Sequence, residues 1–128
     1  MVGGIVGENS ENGAIIACTA TGSVLGKDHY AGGIAGYNDN STVTACYHAK
    51  GNVSGASDVG DVVGANMNGT LTACYWSGLP GNDNGEATKV DGTTVTWQTA
   101  VDAMNNALQS AGSEWRYELT GELPTLRK

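Results

Sequence analysis

Ile15-Ile16-Ala17-Cys18, Val43-Thr44-Ala45-Cys46-Tyr47 and Leu71-Thr72-Ala73-Cys74-Tyr75 are three versions of one phrase, and their cysteines lie 28 residues apart. Upstream of each stands a second phrase: Val2-Gly3-Gly4-Ile5-Val6-Gly7, Ala31-Gly32-Gly33-Ile34-Ala35-Gly36 and Val59-Gly60-Asp61-Val62-Val63-Gly64. A third, Gly22-Ser23-Val24-Leu25-Gly26 and Gly51-Asn52-Val53-Ser54-Gly55, follows the first two cysteines. The first copy has one residue more between Gly7 and Cys18 and one fewer between Cys18 and Gly22, so the beat is restored. A period of this size with in-phase copies is the signature of stacked repeats.

Each unit holds three short apolar segments separated by Gly, Asn, Asp and Ser. They are too short and too rich in β-branched residues and glycine for helices, so each unit predicts three short strands. The expected fold class is all-β: a β-solenoid, parallel β-helix-like, of about three 28-residue coils over residues 1–78. Coils that stack about 4.8 Å apart put equivalent residues into columns. The column Ile15, Val43, Leu71 must then point inward, as must Ile5, Ile34, Val62 and the pair Val24, Val53, while Thr44 and Thr72 face solvent. Asn9, Asn38 and Asn66 form a further column, whose amides can bond along it as in cross-β ladders.

Composition excludes several classes. The chain has 128 residues, 20 of them glycine and none phenylalanine, and only 15% are charged. Poor helix formers and scarce charge argue against a helical bundle, and 40% apolar residues argue against disorder. A net charge of −7 repels a phosphate backbone, so no nucleic-acid partner is expected. No apolar run has the length of a membrane span, and no membrane insertion is expected.

The boxes Gly4-Ile5-Val6-Gly7 and Gly33-Ile34-Ala35-Gly36, followed by the Cys-Tyr segments and by Gly-x-Val-x-Gly, resemble the GLUG-motif repeat family. Alanine stands where the family's Cys-Tyr segment usually has Asn; Asp61 departs from the box glycine and Thr19 from the tyrosine. The resemblance covers about residues 2–76. It implies bacterial surface and adhesin-like proteins and non-catalytic regions of immunoglobulin A-specific metallopeptidases, with no catalytic residue to transfer. The expected function is a non-catalytic extracellular structural or adhesion module, a fragment of a larger cell-surface repeat protein, whose partner is an unknown host protein or glycan. The alternative is a carbohydrate-binding or polysaccharide-degrading β-helix domain.

Cys18, Cys46 and Cys74 are an odd number without CxxC pairs, so a column of reduced apolar thiols is expected rather than a disulfide framework or zinc site. Strict alternation from Val43 would send Cys46 outward, which requires a corner or bulge near Ala45. His29 and His48 share no column, and Asp28, Asp39, Asp58 and Asp61 fall at different phases. Asp58 and Asp61, close in sequence, lack the aromatic platform expected beside a glycosidase pair. No catalytic residue, metal or cofactor is therefore expected, and Asn82-Asp83-Asn84-Gly85-Glu86 reads as a polar turn before a calcium loop. Tyr47 and Tyr75, one coil apart, and Tyr37 on another edge are the candidate surface contacts.

Beyond Trp76 the repeat fades. Residues 79–128 predict an irregular last coil, a helix at about 97–111 and a capping tail. Trp97, Val101, Met104 and Leu108 form the helical stripe, with Thr96 as N-cap and Gly112 as stop. This stripe is expected to pack over the third coil. The N-terminus shows no secretory signal and begins inside a box, which predicts an uncapped first coil capable of edge-to-edge self-association.

Overall fold

The computed structural model describes residues 1–27, 29–77 and 87–128. It is mostly strands, stacked in parallel, with one helix: a β-helix-like fold. Parallel pairing recurs at each position of the repeat. Val2–Gly3, His29–Gly32 and Ser57–Gly60 make the first wall. Val6–Asn9, Ala35–Asp39 and Val63–Met67 make the second. Ala14–Ile16, Thr42–Thr44 and Thr70–Thr72 form the third, with Ile15 against Val43 and Val43 against Leu71. The fourth stacks Thr19–Ala20, Tyr47–Ala49 and Tyr75–Ser77, and Thr88–Lys89 adds a further strand. Val24–Leu25 against Val53–Ser54 is the fifth. The second turn thus contains five short strands instead of three. The box segment is interrupted between Gly32 and Ala35, and the segment around each cysteine is broken by a corner where a single residue has positive φ.

Those corners are themselves columns. Ala17, Ala45 and Ala73 have φ of 56°, 55° and 52°, and Asn12, Asn40 and Asn68 have 65°, 50° and 56°. The left-handed alanine shifts the side-chain alternation by one. Val43 and Cys46 therefore both face inward, and Ala45 and Tyr47 face the other side. The first turn's extra residue is absorbed beside Asn12, where Glu11 is left-handed as well (φ 55°).

Between the walls lie Ile15, Ile34, Val43, Cys46, Val62, Cys74 and Trp76 in one cluster, with Val24, Ala31 and Val53 in a smaller one. Leu71 packs on the first of these at its edge. Ile5 departs from expectation: it stays in register with Ile34, to whose carbonyl its N–H donates at 3.0 Å, yet it is 43% exposed. Its turn is at the edge of every sheet it enters, so among the described residues nothing covers it on that side.

Interior size is matched across the turns. Ala20, His48 and Trp76 form one column. The column of box residues Gly4, Gly33 and Asp61 lies against it. A Cβ on Gly33 would fall 2.3 Å from His48 Cγ and 2.2 Å from the Asp61 carbonyl oxygen. Glycine is required there by the close approach of ring and backbone.

The helix, Trp97–Ser110, begins with a capping box between Thr96 and Thr99 and ends before Gly112, which is left-handed (φ 77°). Its buried stripe is Ala100, Val101, Met104 and Leu108. The stripe does not close the third turn. It packs along a flank, against Ala45, Tyr47, Ala49 and Tyr75, with Ala17 and Ala73 at the margin. The left-handed corners turned these small and aromatic residues outward, and the helix covers the apolar surface they create. An antiparallel hairpin, Arg116–Glu118 with Thr125–Arg127, completes the cover.

Candidate functional site

The asparagine column is a continuous amide ladder. Asn9 Nδ2 donates to Asn38 Oδ1 at 2.9 Å, and Asn38 Nδ2 donates to Asn66 Oδ1 at 2.8 Å. The Asn38 amide also donates to the Ser41 carbonyl (2.9 Å) and that of Asn66 to the Gly69 carbonyl (3.1 Å), closing the turn beside each rung. Asn9 and Asn38 are buried, and this bonding is what makes their burial tolerable.

The cysteines are likewise stacked and free of disulfides. Cys46 Sγ lies 3.3 Å from the Thr44 carbonyl, Cys74 Sγ 3.3 Å from the Val43 carbonyl, and the Cys18 N–H donates to Cys46 Sγ at 3.4 Å. Burial pushes Cys74 up to about 11. Cys46 is also raised, through its hydrogen bond with Cys18 and then burial. Cys18, half-buried on the first turn, is lowered to about 6 by its side-chain hydrogen bond with Cys46.

Two of the three candidate contact tyrosines are not on the surface. Tyr47 and Tyr75 lie beneath the helix, and the Tyr47 hydroxyl donates to the Pro124 carbonyl at 2.6 Å. Tyr117 reaches back from the hairpin to the Ala45 carbonyl at 2.5 Å. The expectation failed because a tyrosine turned away from the interior was taken to meet solvent, and here it meets a second layer. Tyr37 is half-exposed on the second wall, in register with Glu8 on one side and Ala65 on the other.

The titratable groups sort differently from their sequence phases. His48 Nδ1 and Asp61 Oδ1 are 3.9 Å apart, with both residues buried between the walls. His48 Nε2 is 2.7 Å from the Gly22 carbonyl, so that nitrogen carries a hydrogen and the other faces the carboxylate. Asp61 departs from the box glycine, and that substitution was the visible clue to its place against the histidine column. Asp58 is exposed whereas Asp61 is buried, so these two acids do not converge. The register that pairs Ser57 with His29 and Val59 with Ala31 puts Asp58 at the position opposite Tyr30 on the neighbouring turn.

Among the described residues no group of three or more His, Cys, Asp or Glu side chains could hold a metal ion. The candidate turn at residues 82–86 and Asp28 lie outside the described residues. Among the described residues, no helix is long and apolar enough to cross a membrane.

Parallel strands repeating in register, with like side chains bonded to like, define a repeat protein of β-helix-like fold. A family comparison matches residues 1–25 to Glug, the GLUG motif, so the chain carries that motif on its first turn. The register places Gly33-Ile34-Ala35-Gly36 on the next turn in step with the matched box. No curated protein and no solved structure matches the chain.

Proposed function

We propose that this chain is a non-catalytic, extracellular adhesion or spacer module of a larger bacterial surface protein, built as a β-solenoid of three coils whose flank is covered by the C-terminal helix and hairpin. The observation that carries it is the unbroken side-chain register over three turns, from Asn9 through Asn38 to Asn66. Such stacking makes a stiff body that repeats its outer side chains at strand spacing, which suits display and separation rather than a reaction cycle. The GLUG motif on residues 1–25 supports a surface role. Among the described residues the first-turn strands have a neighbour on one side only, and exposed Ile5, Ile16 and Leu25 lie on that turn, which supports self-association through it.

The buried His48–Asp61 pair lies away from solvent, and Asp58 stands apart from Asp61. Both features favour the module over a polysaccharide-degrading domain. Reducing-end release from a panel of polysaccharides tests the choice. No release above the buffer blank is expected. Release that disappears in Asp58→Asn or Asp61→Asn overturns the proposal.

A further inference from the structure

Outside the helix-covered flank, the first and second walls meet in an aromatic ledge that no sequence motif marks. Tyr30 is left-handed (φ 66°), and that corner turns its ring onto the neighbouring wall, where it meets Tyr37 at 4.9 Å between centroids and 39° between planes. His29 stands 5.9 Å from the Tyr30 ring and is fixed by a hydrogen bond to Ser57 on the next turn. Carboxylates surround the two tyrosines. Glu8 is in register with Tyr37 on the first turn, Asp58 with Tyr30 on the third, and Asp39 lies two residues along the same strand.

Most of the basic residues are engaged elsewhere. Lys50 pairs with Glu122, Arg127 with Glu118 and Lys128 with Glu114. Lys89 lies over the Trp76 ring, and Arg116 donates to the Ser113 and Trp115 carbonyls. Five of the chain's six basic side chains are thereby engaged on the second turn, the last strand and the hairpin; the sixth, Lys27, is exposed three residues before Tyr30, so the ledge has Glu8, Asp39 and Asp58 against one cation. Burial, then Asp39, Tyr30 and Glu8, hold the Tyr37 hydroxyl above its ordinary range, which reports the same sign of field.

We propose that the Tyr30–Tyr37 ledge, with Glu8, Asp39 and Asp58 around it, is the contact surface of this module and takes lysine or arginine side chains of a basic partner protein. An aromatic face attracts a cation through its quadrupole, and flanking carboxylates accept the cation's N–H groups. Charge complementarity selects a basic peptide over a neutral glycan, for which the ring of carboxylates offers no net attraction. This inference deepens the adhesion reading and rests on it. Its test reads binding, whereas the test of that reading is polysaccharide turnover, so the two can fail separately.

The test is titration of the full chain with hexa-arginine at physiological ionic strength, followed by calorimetry and by the tyrosine ring resonances. Tyr37→Leu leaves the charge unchanged and is expected to weaken binding about three- to tenfold. The pair Glu8→Gln with Asp39→Asn is expected to weaken it at least as much. Removing two carboxylates far from the ledge, Glu114→Gln with Glu122→Gln, is expected to leave it within about twofold, because exposed charges beyond a Debye length of about 8 Å are screened. Tyr37→Phe keeps the ring and retains binding, which guards against a leucine variant that fails to fold. The proposal is overturned if hexa-arginine does not bind, if folded Tyr37→Leu binds as the parent does, or if the distant pair weakens binding equally. It is also overturned if neutral oligosaccharides, and not the peptide, shift the Tyr30 and Tyr37 resonances.

Discussion

In the stacked turns like is bonded to like, Asn9 to Asn38 to Asn66, and the backbone of each turn is tied to the next at matching positions. The C-terminal segment, residues 87–128, is joined to those turns by unlike partners. Tyr47 donates to the Pro124 carbonyl, Tyr117 to the Ala45 carbonyl, and Met104 and Leu108 pack on Tyr47 and Tyr75. The Asn105 side chain makes a two-point contact with the Tyr117 backbone, accepting from its N–H at 2.7 Å and donating to its carbonyl at 3.0 Å. The first region is specified by translation along the stack, so any error is repeated in each turn. The second is specified by a single set of complementary shapes. Backbone close approach should therefore dominate the energetics of the turns, and side-chain volume those of the cover.

The largest expected effect follows from close approach. Gly33→Ala places a methyl against the His48 ring and the Asp61 backbone, neither of which can withdraw without breaking the turn-to-turn pairing. A loss of about 4 kcal/mol or more is expected, at the severe end of single substitutions. In urea unfolding followed by circular dichroism it should abolish the native baseline. Gly22 is the internal control: a Cβ there meets nothing within 4 Å, so Gly22→Ala should stay within about 0.5 kcal/mol. Equal effects at the two positions would show that glycine serves the turns through flexibility rather than through clearance.

Next in size is Met104→Ala. Met104 is fully buried between the helix and the tyrosine flank, and its truncation should cost about 3 kcal/mol. Hydrogen exchange resolves where the loss falls. Amides of the helix should lose protection while those of Ile34 and Val43, bonded between turns, keep theirs. Uniform loss would mean that cover and turns unfold as one unit.

The turns were legible in the sequence because their order is translational. A spacing of 28 residues in the chain becomes a contact in space, so Ile15, Val43 and Leu71 could be aligned before any coordinates. The segment over the helix was legible too, since its stripe and cap are local. The relation between the two was not. Whether Tyr47 meets solvent or a helix depends on the phase of side chains beyond the corner, and an alanine with φ of 55° is chemically indistinguishable in sequence from any other alanine. The same applies to the tyrosine ledge. Tyr30 and Tyr37 lie seven residues apart on different walls, and Asp58 reaches Tyr30 only through the register. His48 beside Asp61 depended on a cross-interior contact between columns, for which the departure from the box glycine was a clue without a direction.

The smallest expected effect is confined to alkaline solution and reports on the turns alone. Cys74 is buried between the walls, and desolvation raises its thiol from 9.0 to about 11. A raised value means that the folded state resists losing the proton. Below about pH 9 both states hold it and folding is unaffected, whereas above that the unfolded chain releases it first. Stability should thus fall from about pH 9 to about pH 11, where the folded thiol ionises as well. Tyr47, Tyr75 and Tyr117, raised mainly by burial, add a slope of the same sign at higher pH through the cover. Cys46, raised as well, titrates on the same limb, so the double variant Cys46→Ala with Cys74→Ala removes the earlier portion. In urea titrations at intervals of half a pH unit, its decline should begin later than that of the parent, while the later slope persists. An unchanged onset would assign the whole alkaline limb to the tyrosines, and so to the layer outside the turns.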